Sequence, residues 1–231
     1  MEKLLDDKTI RENYHRITEN VRNAMELSHR TDKVRLMAVT KTVPPERVNF
    51  AIDLGIDLLG ENRVQEYMEK RESYSPAEVH FIGGLQTNKV KYIIDKVSMI
   101  HSVDSLHLAE EINRRAEQHG IVMDILAEIN IGGEDTKGGI SPDSAERFCG
   151  DLAMLKNVRL RGLMAIPPPG CPESTFAQME ELFGKLKSGS ECFDTLSMGM
   201  SADYTTAIKH GATIVRIGSA LFGQRTYTKQ Q

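Results

Sequence analysis

Val34-Arg-Leu-Met-Ala-Val-Thr-Lys41, then Pro44-Pro-Glu-Arg-Val-Asn-Phe-Ala-Ile-Asp-Leu-Gly55, then Asp57-Leu-Leu59 is the stretch on which the fold turns. An apolar run of strand length leads into a segment that opens on proline and closes on glycine, and a second apolar run follows. The unit then repeats. After 34–40 and 57–59, apolar runs recur at 79–83, 99–103, 123–129, 159–166, 195–200 and 213–218. Amphipathic helical segments lie between them at 45–54, 63–71, 88–96, 105–119, 141–155, 174–187 and 201–210. Ser141-Pro-Asp143 and Ser174 supply further start signals, and Gly120 and Gly211 further stops.

Strands that alternate with helices predict a parallel sheet with helices on its faces. Eight such units predict a closed α/β architecture, a (β/α)8 TIM barrel. A helix over 9–30, with Ile10, Tyr14, Ile17, Val21 and Met25 on one face, precedes the first strand. It is placed to stand in for the outer helix missing after strand eight. An open doubly wound sheet is the rival, and it would usually show an early GxGxxG, which this chain lacks. No Pro/Gly/Ser linker divides the sequence, and Pro167-Pro-Pro-Gly-Cys-Pro172 is short enough for a rim loop. A single domain over residues 1–231 is expected.

Composition narrows the function. Against 33 Asp+Glu stand 29 Lys+Arg, so there is no positive excess for a nucleic-acid backbone. Hydrophobic residues at 40% are ample for a core, and no apolar stretch approaches the roughly 20 residues of a membrane span. The N-terminus carries acids and no apolar core, so no secretory or transit targeting is expected. Cys149, Cys171 and Cys192 are odd in number and form no CxxC pair, which predicts neither a disulfide framework nor a cysteine zinc site. A cytoplasmic protein is the simplest expectation.

On a barrel of this kind the working face is the C-terminal end of the strands. Lys41 ends the first run, where it is either a surface lysine or an amine partly withdrawn from water, suited to a Schiff base. Arg216 lies inside Thr213-Ile-Val-Arg-Ile-Gly218 and cannot lose its proton, so burial demands a partner. Two readings are open: an ion pair with Glu61 or another acid, or a donor to a polar cofactor atom. Ser197-Met-Gly-Met-Ser201, with a helix opening at Ser201, and Gly218-Ser219 follow strands seven and eight, where such barrels hold phosphate. Ordinary capping by Ser201 and turning by Gly218 are the plainer account. The glycine-rich 132–139 segment lacks P-loop order and is expected to be a mobile rim loop. The seven histidines form no HExxH; His80 is expected in the core or at the surface, and metal catalysis has little support. A strand-end lysine, a buried arginine and a phosphate cradle together describe a pyridoxal 5'-phosphate (PLP) site.

The stretches carrying these residues closely resemble the pyridoxal phosphate homeostasis protein family, relatives of the barrel domain of bacterial alanine racemase. They are Ala38-Val-Thr-Lys-Thr42, Gly60-Glu-Asn-Arg-Val-Gln-Glu66, His80-Phe-Ile-Gly-Gly-Leu-Gln-Thr-Asn-Lys89 and Ser102-Val-Asp104. Gly162-Leu-Met-Ala-Ile-Pro167, Leu196-Ser-Met-Gly-Met-Ser-Ala-Asp203 and Val215-Arg-Ile-Gly-Ser-Ala-Leu-Phe-Gly223 complete the set in the family's order. The resemblance implies a cofactor held as a Schiff base on Lys41, with Arg216 facing the pyridine nitrogen and Asn62 near the ring. Ser201, Gly218 and Ser219 would hold the phosphate. Arg63 departs from the tyrosine usual after Gly-Glu-Asn, which bears on access at the rim.

The resemblance also implies a role in PLP homeostasis, by buffering or delivery, with effects on amino-acid and keto-acid pools. Its expected partners are PLP and PLP-dependent apo-enzymes, with no nucleic acid, no membrane and no self-association. Arginine at the pyridine nitrogen supplies no ready proton, so carbanion chemistry should be weak. Alanine racemases bring a second base from an added β domain, and residues 221–231 are too few for one. No established catalytic activity is therefore expected. The alternatives are a low-activity PLP-dependent amino-acid racemase and a sugar-phosphate enzyme that uses Lys41 without PLP.

Overall fold

The eight apolar runs become eight parallel strands. A computed structural model of the chain describes residues 6–134, 138–187 and 192–224. The strands are β1 (Arg35–Val39), β2 (Leu58–Glu61), β3 (Glu78–Phe81), β4 (Met99–Val103), β5 (Met123–Ile129), β6 (Val158–Ala165), β7 (Thr195–Ser197) and β8 (Ile214–Ile217). They pair in sequence order and β8 returns to β1, with Met37 opposite Arg216, so the barrel closes. Strands enclosed on both faces bury almost every side chain, which is why they read as near-continuous apolar runs rather than alternating ones.

Around them run α1 (Asp7–Leu27), α2 (Pro45–Asp53), α3 (Val64–Lys70), α4 (Val90–Ile93), α5 (Leu106–His119), α6 (Ala145–Ala153), α7 (Glu173–Lys187), α8 (Tyr204–Lys209) and α9 (Ser219–Phe222). Strand alternation divides the buried residues into two regions. Met37, Val39, Leu58, Ile82 and Ile214 cluster together in the barrel, as do Met99, Leu126 and Met164. The larger core lies between strands and helices and includes Leu59, Phe81, Ile93, Ile112 and Phe176.

α1 is capped by Asp6, whose Oδ1 accepts from the Thr9 N–H at 2.8 Å, and it buries Ile10, Ile17 and Ala24. It packs chiefly on α8, with α9 and α2 beside it, and so fills the ring position after β8. Asn13 donates to the Leu221 carbonyl and Asn20 to the Tyr204 hydroxyl, fastening the first helix to the last elements.

Three helical segments differ from expectation. The segment at 88–96 is a 3-10 turn, Thr87–Lys89, followed by the short α4, and 141–155 likewise begins as a 3-10 turn, Pro142–Ser144. The helix expected to open at Ser201 starts at Tyr204, because Asp203 takes the Met200 N–H at 2.6 Å and makes 201–203 a turn. Residues 167–172 form the expected rim connection between β6 and α7. Of the 132–139 loop, Asp135, Thr136 and Lys137 lie outside the described residues, so its expected mobility falls partly there too.

Candidate functional site

Lys41 lies two residues beyond Val39, whose side chain joins the barrel-interior cluster, and it is half-buried. The turn that carries it is clamped from three sides. Thr40 Oγ1 donates to Glu61 Oε1 at 2.7 Å, the Thr42 N–H donates to Glu66, and Lys70 Nζ reaches the Val43 carbonyl at 2.9 Å. Thr42 is held at φ +64°, a left-handed conformation that a β-branched residue resists. Strain of this kind persists only where surrounding contacts over-determine the backbone, and here they adjoin the lysine.

Asn62 follows the end of β2. Its Oδ1 is shielded from solvent and has no hydrogen-bond partner among the described residues. A Cβ added at Gly83 would stand 2.1 Å from the Asn62 carbonyl oxygen, so only glycine permits the loops after β2 and β3 to approach this closely. Arg63 is exposed at the start of α3.

Arg216 is 5% exposed. Its Nη1 donates to the Ser197 carbonyl and to Ser197 Oγ, each at 2.7 Å, and its Nη2 donates to the Ala165 carbonyl at 2.7 Å. These bonds use three of the five N–H donors of a guanidinium and tie β8 to the ends of β6 and β7. The Glu61 ion pair does not form. Glu61 alternates with the interior residues Leu58 and Gly60, so it points out of the barrel, where Thr40 and the Tyr74 hydroxyl at 2.8 Å hold it. Burial pushes its carboxyl above the ordinary range. Burial also lowers the Arg216 guanidinium to about 10, against the fields of Glu128 and Asp203, so it stays charged at neutral pH.

Ser201 does not cap α8. Its Oγ accepts the Ala220 N–H at 3.1 Å, drawing the loop after β7 against α9. Gly218 precedes α9, and Ser219 opens it, exposed. In α9 the Ala220 N–H is taken by Ser201 Oγ and the Leu221 and Phe222 N–H groups by the Gly218 carbonyl, so its first turn is largely satisfied within the protein.

Sequence reasoning missed three groups. Glu128, near the end of β5, has its carboxyl pushed up to about 7 by burial and by Asp104. His101 and Ser197 lie wholly inside, in contact with one another. Each stands in an apolar run, which was the available signal. Of the core and surface positions open to His80, the structure gives the core, where it bonds to His101 at 2.9 Å. No group of three or more metal-ligating side chains occurs among the described residues.

Residues 13–226 match the family described as alanine racemase, N-terminal domain. The pyridoxal phosphate homeostasis protein of Aquifex aeolicus is 43% identical over 224 residues, covering 94% of this chain and 98% of that one. The chain belongs to the pyridoxal phosphate homeostasis protein family. The family member from Pasteurella multocida is 38% identical, covering 96% of this chain and 100% of its own.

Among solved structures, PipY of Synechococcus elongatus with PLP bound superposes with a TM-score of 0.75 at 31% identity, over 88% of this chain and 100% of PipY. An alanine racemase from Clostridium difficile shares the barrel (TM-score 0.73, 17% identity) over 96% of this chain but 57% of its own. That likeness concerns the fold.

Proposed function

We propose that the protein holds PLP at the barrel mouth, as a Schiff base on Lys41 formed with loss of water, and serves to buffer or deliver it. The observation that carries this reading is Arg216. It is a buried donor, charged at neutral pH, on the strand paired with β1; among the described residues it bonds only to carbonyls and a hydroxyl, with two N–H groups beyond those bonds. The orphaned Asn62 Oδ1 fits the same group, since a buried acceptor without a partner is costly unless a ligand satisfies it. Ser201, Gly218 and Ser219 are assigned to the phosphate, with Asn62 beside the ring.

PLP supplies an electron sink when its pyridine nitrogen is protonated. Arg216 donates a hydrogen bond there without giving up its proton, so the site favours holding over turnover. The protein is therefore proposed to have no catalytic activity of its own, and to exchange PLP with dependent apo-enzymes. Three free cysteines, and no helix among the described residues long and apolar enough to cross a membrane, support a cytoplasmic setting. Residues 1–231 are proposed to act as one domain and as a monomer.

Borohydride reduction of PLP-loaded protein, followed by peptide mass mapping, should place a pyridoxyl adduct on Lys41. An adduct elsewhere, or none, removes the central claim. A second reading, a low-activity racemase, is favoured by Glu128, whose carboxyl near 7 can exchange a proton at neutral pH. Loss of an amino acid's Cα deuterium, abolished by Lys41→Ala, would decide for it.

A further inference from the structure

The turn after β1 is held by side chains from the end of β2 and from α3. Glu66 of α3 accepts the Thr42 N–H and pairs with Lys70, one helical turn further on. Lys70 Nζ donates in turn to the Val43 carbonyl at 2.9 Å. The two residues that follow Lys41 are thus gripped at one N–H and one C=O by a single ion pair. On the other side of Lys41, Thr40 Oγ1 donates to Glu61 Oε1 at 2.7 Å, and the Val43 N–H closes the turn on the Thr40 carbonyl at 3.0 Å. Ion pairs four residues apart on an exposed helix face contribute little. This one is different, since the Glu66 and Lys70 side chains are only 16% and 19% exposed and both also bond to the turn.

Thr42 needs such a hold. Its φ of +64° is unfavourable for a β-branched residue, and Thr42 is exposed, so packing of its own side chain does not offset the strain. Released, residue 42 would relax toward a right-handed or extended backbone and re-aim the chain at the preceding lysine. Asn62 and Arg63 join β2 to α3, so the segment that grips the lysine turn also carries Asn62. We infer that Glu66 is a positioning residue for Lys41: with Lys70 it holds Thr42 left-handed, and so keeps the lysine at the barrel mouth in fixed register with Asn62. The consequence for the cofactor rests on the PLP reading above; the hold on the turn does not.

Amide hydrogen exchange of the cofactor-free protein tests the hold. The Thr42 N–H should be protected although its residue is exposed, and should exchange about tenfold faster in Glu66→Ala, as expected for a locally opened segment. Addition of PLP, with borohydride trapping at successive times and peptide mapping, tests the positioning. The Lys41 adduct should form about tenfold more slowly in Glu66→Ala, the scale of the penalty on one left-handed residue other than glycine. Glu66→Gln keeps a carbonyl acceptor for Thr42 and should stay close to wild type. Adding Thr42→Gly to Glu66→Ala should restore most of the rate without restoring the exchange protection, because glycine adopts this φ without strain. Loosened packing around α3 would not be repaired by shortening an exposed side chain of another loop.

An unprotected Thr42 amide in the wild type, equal adduct rates in wild type and Glu66→Ala, or a double variant no faster than Glu66→Ala would each overturn the inference. Should Glu66→Ala fail to fold, Lys70→Met removes the ion pair and the bond to Val43. It should slow the adduct in the same way and be rescued by Thr42→Gly, and an unchanged rate would again overturn the inference. Failure of the PLP reading is distinguishable, because wild type then forms no adduct on Lys41 while Thr42 exchange still depends on Glu66.

Discussion

Glu128 shows how one side chain can make the stability of this barrel depend on pH. Burial and the nearby Asp104 raise its carboxyl to about 7, so the folded chain keeps a proton there that the unfolded chain has already lost. A raised carboxyl contributes stability that is fully present below about pH 4.5 and is lost as pH climbs through about 7. The shift corresponds to at most about 3 kcal/mol, less whatever solvent screens at a half-buried position. The unfolding free energy of wild type relative to Glu128→Gln should therefore fall between pH 5 and pH 8, as read by urea titration at each. A pH-independent difference would mean an ordinary carboxyl. Lys41 and Arg216 were legible in the sequence because each is a cation in or at the end of an apolar run. The partner of Arg216 was not: Glu61 sits one residue out of phase with the interior face of β2, and alternation turns it outward.

Between elements, the loops after β2 and β3 approach each other closely near the candidate site. Gly83 lies against the Asn62 carbonyl, and the 2.1 Å left for a Cβ cannot be met without moving backbone. Gly83→Ala should cost about 1–3 kcal/mol by overpacking and weaken PLP binding, since it displaces Asn62. Calorimetric stability and a PLP titration of the same variant check both effects, and unaltered PLP affinity would place Asn62 away from the ring. Strand and helix order was readable from apolar runs and their Gly and Pro boundaries. Helix starts were less so. Ser201 looked like a cap, but its hydroxyl is taken by the Ala220 N–H of another element, and α8 starts at Tyr204 without a side-chain cap. The four-residue α9 was not foreseen, since one turn leaves no periodic pattern to read.

At the scale of the molecule, α1 completes the outer ring beside α8 and α9. Ile17 is 1% exposed on the face that packs against α8 and α9, and the asparagines of the same helix bond to Leu221 and Tyr204. Ile17→Ala should cost about 2–5 kcal/mol. If the chain acts as one monomeric domain, it should sediment as a single chain. Wild type and variant should then each unfold in one transition, coincident by circular dichroism and by tyrosine fluorescence. Separate transitions for the α1 region and the rest would argue for two units.

The amino-acid sequence by itself determined the eightfold alternation, the leading helix in the last outer position, and the lysine and arginine of the candidate site. Those features are local: a short apolar run, a glycine stop or a cation between apolar neighbours is visible without knowing what lies across from it. Only the tertiary structure decided which side chains meet inside. His101 and Ser197 are 96 residues apart in the chain and 3.1 Å apart in the barrel. Closing eight strands into a ring points every second residue at a shared axis, and no pattern within one strand says which residues from the others will be there.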